Sequence, residues 1–134
     1  MKLLQKALSL LSTLFVLLLV FLAYGSVGNR WYRVIAVDGN SMSPTLWYGD
    51  MILITPPPEE VPPDSIVVMS VEGSLVTHRL LGYDESGRPI TKGDANESID
   101  QYNNPNLRIV GLCRLRLPGF GYPLLYLSRL TGRA

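Results

Sequence analysis

Leu75-Val76-Thr77-His78-Arg79-Leu80-Leu81, then Asp84-Glu85-Ser86-Gly87, then Pro89-Ile90-Thr91, is the stretch that decides the fold. Two runs of β-forming residues flank a turn of hairpin composition. Alternation along the first run puts His78 on one face with Val76 and Leu80, pointing inward. Beyond the hairpin, Lys92 to Asn106 is polar and rich in Asn and Asp, hence a loop, and Leu107 to Leu117 alternates polar and apolar as a final strand. Upstream, Ser65–Met69, Met51–Ile54 and Trp31–Val37 read as further strands. Gly39-Asn40 and Gly49-Asp50 are turns, Ser43–Leu46 is a short helical or turn segment, and the prolines from Pro56 to Pro63 form a stiff extended loop. The tail Pro123–Leu130 is about two helical turns, suited to the sheet or to a membrane surface with Arg129 and Arg133 at headgroup depth.

Short strands with Gly/Pro turns and almost no helix in between imply a mainly β protein: a small antiparallel β domain with a short C-terminal helix. The N-terminus is different. Ala7 to Tyr24 is eighteen residues without a charge, roughly 27 Å as a helix and close to the hydrocarbon thickness of a bilayer. Lys2 and Lys6 precede it, the positive flank of a signal peptide or a signal anchor. The run exceeds a signal-peptide core, so a retained transmembrane helix is expected, with the N-terminus cytoplasmic and the rest of the chain extracytoplasmic or lumenal. Ser26–Asn29 is expected to be a flexible junction. The division is residues 1–25 as anchor and 26–134 as β domain.

A net charge of +1 in 134 residues gives no sign of nucleic-acid binding. The lone Cys113 excludes an intrachain disulfide, and its place in a strand marks it as a small apolar side chain.

The chemistry gathers in Gly39-Asn40-Ser41-Met42-Ser43-Pro44-Thr45-Leu46. A serine hydroxyl is a weak nucleophile that needs a base within reach and donors for the oxyanion. Ser41 sits on a turn that Gly39 permits and Pro44 fixes, where its own N–H can face a developing oxyanion. The chain has one histidine, His78, and three lysines. Lys2 and Lys6 belong to the membrane flank, leaving His78 for a Ser–His pair or Lys92 for a Ser–Lys dyad. Asp94 and Asp100 are both candidates to orient the imidazole.

Ser41-Met42-Ser43-Pro44-Thr45 resembles the S-M-x-P-T box of type I signal peptidases. His78-Arg79 and Thr91-Lys92-Gly93-Asp94-Ala95-Asn96 resemble later boxes of that family's endoplasmic-reticulum and archaeal branch, in which histidine replaces the bacterial lysine. The resemblance runs from about Val34 to Leu117 and implies a partly open β barrel and a membrane-bound endopeptidase that removes signal peptides from exported preproteins. It implies Ser41 as nucleophile, His78 as general base, Asp100 as the partner of His78, and Asp94 as organiser of its loop. Gly39 and Met42, on either side of Ser41, are expected to meet substrate, although many bacterial relatives carry an oxyanion-binding serine where this chain has Gly39. No cofactor or metal is implied. The implied partners are preprotein signal peptides, the lipid bilayer and other signal-peptidase or translocon subunits, and no nucleic acid. A Ser41–Lys92 peptidase and a non-catalytic membrane-tethered β scaffold are the alternatives.

Overall fold

A computed structural model describes residues 2–28, 32–102 and 107–132, with side chains described outside 21–28. The chain divides into two compact units, 1–33 and 34–134. The first contains α1 (Lys2–Gly28). Its window Lys2–Val20 has a mean hydropathy of 2.1 and none of it is buried, so the helix is long and apolar enough to cross a bilayer, a property that signal sequences share. The helix continues through Ser26–Gly28, where the sequence reading expects a junction. That stretch contains no proline to remove a backbone donor, and a terminal glycine costs a helix only about 1 kcal/mol. The strand expected at Trp31–Val37 begins at Arg33, and Trp31 lies outside the described residues.

The second unit is mainly β. Strands β1 (Arg33–Ala36), β2 (Met51–Thr55), β3 (Ile66–Val71), β4 (Ser74–Tyr83), β5 (Pro89–Lys92) and β6 (Arg108–Leu117) form one sheet in the order β1-β2-β6-β3-β4-β5. The registers of β2 with β6, β3 with β4 and β6, and β4 with β5 are antiparallel. A nine-residue helix, α2 (Tyr122–Leu130), ends the described chain with Pro123 in its first turn. Leu125 is its only buried residue, and Tyr126, Leu127 and Leu130 are exposed.

The core explains why the central strand lacks polar alternation. Val67, Val68 and Met69 of β3 are all fully buried. Val68 packs with Met42, Leu46, Ile52 and Ile54, whereas Val67 and Met69 pack with Val61, Leu80 and Leu112. Successive side chains of a strand point to opposite faces, so β3 supplies both clusters. At about 25 cal/mol per Å² of apolar surface, these clusters are the main favourable contribution to folding. Met42 and Leu46 belong to the first cluster and tether the Ser41 turn to the sheet.

Candidate active site

Ser41 lies in a run of turns from Asn40 to Leu46 that is closed by its own backbone. The Ser43 N–H donates to Asn40 O at 3.0 Å and the Leu46 N–H to Met42 O at 2.9 Å. The Asn40 side chain accepts from the Tyr48 N–H at 3.3 Å. A second loop grips this turn from outside, since the Ala95 N–H donates to Ser41 O at 2.8 Å. Gly93 makes that approach possible: a Cβ at this position would lie 2.6 Å from Ser41 O and 2.8 Å from Asn96 Nδ2. Residues 93–96 of the expected polar loop therefore wall the serine turn from outside, whereas Lys92, expected in that loop, ends β5.

His78 is on β4, 7% exposed, opposite Val67 of β3. Its Nε2 lies 3.0 Å from Ser41 Oγ, and its Nδ1 lies 2.5 Å from Asp100 Oδ2. Against a carboxylate, which accepts hydrogen bonds, Nδ1 is the donor, and a neutral imidazole so held presents its Nε2 lone pair to the serine hydroxyl. That is the tautomer a general base requires. The aspartate left open between two candidates is thereby placed: Asp100 meets the imidazole.

Asp94 does other work. Its Oδ1 accepts from Arg79 Nε at 2.8 Å and its Oδ2 from Arg79 Nη2 at 2.7 Å. Oδ2 also accepts from Thr45 Oγ1 at 2.5 Å. The Arg79 guanidinium holds the Asp94 carboxyl below the usual carboxylate range against the opposing effect of burial, and Thr45 adds to the effect. A bidentate Arg–carboxylate pair is geometrically specific, so Asp94 locks the 93–96 loop to β4 and to the serine turn together.

Lys92 is the last residue of β5. The β4–β5 register pairs Arg79 with Lys92 and Leu80 with Thr91. Directly opposed residues share a face. Lys92 therefore shares the face of Arg79, while Thr91 shares that of Leu80 and His78. Ser41 Oγ is bonded to the imidazole.

Three contributors escaped the sequence reading. Arg79 stands beside His78 and was legible only as its neighbour. Thr45 ends the serine box. Thr91 is 1% exposed, and its hydroxyl donates to Asp100 Oδ2 at 2.7 Å. It opens one of the boxes that carry the resemblance, but its bond to Asp100 depends on strand register and loop closure. Beside this cluster the Tyr102 phenol is pushed up to about 12, first by burial and then by the Asp100 charge. Cys113 is half-buried, and burial pushes its thiol up, as suits an inert side chain.

A groove of about 290 Å³ reaches Ser41. Ile35–Asp38 line one side, Leu75–Thr77 the other, and Gly39 and Met42 complete the wall. Met42 is 1% exposed and supports the groove from the core. A Cβ at Gly39 would touch nothing within 4 Å, so that side is open. Both flanking strands have spare edges. β1 ends the sheet order, and β5 pairs with β4 only over Arg79–Tyr83, so, among the described residues, 75–77 have no strand partner on that side.

An antiparallel β domain with a serine on a braced turn and a buried histidine against its hydroxyl is the frame of a serine peptidase. The model of the Peptidase S24-like family matches residues 20–112, and the chain belongs to that family. Comparison with curated proteins finds no match.

Proposed function

We propose that this chain is a membrane-held serine endopeptidase that removes signal peptides, with Ser41 as nucleophile and His78 as general base. The observation that carries the reading is the continuous line from Ser41 Oγ through His78 Nε2, at 3.0 Å, to Asp100 at 2.5 Å from Nδ1. Ser41 Oγ attacks the scissile carbonyl as its proton passes to His78 Nε2. The imidazolium then gives that proton to the departing amine, leaving an acyl-enzyme. His78 next takes a proton from water, hydroxide adds to the ester carbonyl, and the proton returns to Ser41 as the acid product leaves. Asp100 holds the tautomer and stabilises the transient imidazolium. The Ser41 N–H takes part in none of the hydrogen bonds among the described turns and is the oxyanion donor of this scheme.

The groove suits an extended peptide. A strand laid between β1 and residues 75–77 would complete two open edges. Residues one and three positions before the cut would then share one face of that strand and meet the same apolar wall. This is the pattern of small residues that the signal-peptidase resemblance implies. The apolar α1, with its N-terminus cytoplasmic, would hold the enzyme in the layer where such substrates emerge, raising their effective concentration. Preproteins, the bilayer and other signal-peptidase or translocon subunits are the proposed partners.

The test is cleavage of a preprotein in detergent by the intact chain and by Ser41→Ala, His78→Ala and Lys92→Ala. Loss of cleavage by several orders of magnitude in the first two, with the lysine variant active, is expected. Ser–Lys chemistry is the second reading, and membership of a family of that type favours it. Loss in Lys92→Ala with His78→Ala active would establish it and refute the first.

A further inference from the structure

The buried hydroxyl of Thr91 has no place in the scheme above, yet it contacts the centre of it. We infer that Thr91 is a positioning residue for the Asp100–His78 pair, and this rests on the reading of His78 as base. Oδ2 of Asp100 accepts two hydrogen bonds: one from His78 Nδ1 at 2.5 Å and one from Thr91 Oγ1 at 2.7 Å. The second fixes where that oxygen points. The backbone adds a reciprocal link, because the Asp100 N–H donates to Thr91 O at 2.8 Å. Asp100 comes from the far end of a polar loop with no strand of its own. Two bonds to one residue of β5 fasten that loop end to the sheet that carries His78.

Two other groups stand near the hydroxyl, the Tyr102 phenol, which also meets Asp100, and the Met69 thioether, and both are weaker acceptors than a carboxylate. Met69 Sδ lies 3.8 Å from Thr91 Oγ1. A thioether is a poor acceptor and a carboxylate a strong one, so the single hydroxyl hydrogen goes to Asp100. Around Thr91 the surroundings are dry, Thr91 being 1% exposed and Leu80 and Met69 fully buried, while Asp100 also lines a groove of about 190 Å³. Water cannot readily replace the hydroxyl there, and an under-coordinated carboxylate in such a place is costly. A valine has nearly the shape of threonine and no donor. In that variant Asp100 can rotate, and the imidazole loses its fixed tautomer.

The chain contains one histidine, so its imidazole N–H proton gives an unambiguous NMR signal. The experiment records that downfield signal and steady-state preprotein cleavage for the full-length chain in micelles, as wild type, Thr91→Val and Thr91→Ser. The expected result is a shifted or exchange-broadened signal in Thr91→Val, with kcat reduced roughly tenfold or more and KM little changed, as for loss of a hydrogen bond to a charged group. Thr91→Ser keeps the hydroxyl and should restore both the signal and most of kcat, which a merely space-filling threonine would not predict. An unchanged signal and kcat in Thr91→Val, or a serine variant no better than valine, overturns the inference. The NMR signal does not depend on catalysis, so it tests the Thr91–Asp100–His78 link even if the alanine series removes His78 as base.

Discussion

Asp50→Asn is a substitution outside the reacting groups whose effect can be worked from contacts. Asp50 is 3% exposed. Its Oδ2 accepts from the Trp47 N–H at 2.8 Å and from Arg116 Nε at 2.6 Å, and its Oδ1 accepts from the Gly119 N–H at 3.1 Å. Arg116 reaches on to Thr45 O at 2.9 Å. One carboxylate thus ties the turn after the serine box to β6 and to the turn that leads into α2. An asparagine carries no charge and presents an NH2 to at least one of these donors. Breaking a buried ion pair on one side costs about 3–5 kcal/mol. The Arg116 side chain is 34% exposed and can turn partly to water, so the lower end, about 3 kcal/mol, is expected. For a domain of this size that lowers Tm by about 12–24 °C. The pH dependence has a definite sign. Burial raises the Asp50 carboxyl, but the Trp47 N–H, Arg116 and the Gly119 N–H outweigh it and hold the group below its ordinary value. The stability it contributes is full above the unfolded value, about 4, and is lost as pH falls through the depressed native value. Thermal unfolding of the intact chain in micelles, followed by tryptophan fluorescence at several pH values, checks both. A drop of less than about 4 °C at neutral pH, or an Asn variant as acid-sensitive as wild type, would refute the reasoning.

Gly93→Ala should sharply reduce cleavage and cost about 1–3 kcal/mol, because its methyl would meet Ser41 O and the Asn96 amide; cleavage and Tm measured together check this. Leu125→Ala removes the one buried contact of α2 and should cost about 2 kcal/mol, with faster hydrogen exchange across Tyr122–Leu130 while Ser41-dependent cleavage persists. His78→Lys should be inactive although lysine serves as base in related enzymes, because the Asp100 carboxylate would hold its ammonium protonated; adding Asp100→Asn should recover part of the activity, as steady-state cleavage would show.

The local elements were legible because their signals are local. Each strand expected from β-branched alternation, the Asp84–Gly87 turn and the short terminal helix are present within a few residues. Strand order was not legible, since β6 inserts between β2 and β3 and no local pattern encodes that crossover. The same gap separates what was found in the site from what was missed. Elimination narrowed the base for Ser41 to the single His78 or to Lys92, and the choice of His78 came from the resemblance. Choosing between Asp94 and Asp100 on the residues alone needed the face of β5 on which each loop end lands. Asp50 looked like half of a Gly-Asp turn and Thr91 like an ordinary strand residue, because their partners, Arg116 and Asp100, are brought to them only by sheet register and loop closure.

The register also bears on which base this scaffold serves. A lysine amine has no tautomers, and its donors are equivalent by rotation, so it needs a dry pocket rather than an oriented acceptor. An imidazole has two unlike nitrogens, and the one facing the serine is a base only if the other is held as a donor. Asp100, 2.5 Å from Nδ1 and accepting from Thr91 at 2.7 Å, supplies what an imidazole needs and what a lysine does not. It would be a liability to a lysine base, since a carboxylate alongside keeps an amine charged. The cluster is arranged for one nitrogen of one ring, and the proposed Ser–His reading rests on that arrangement.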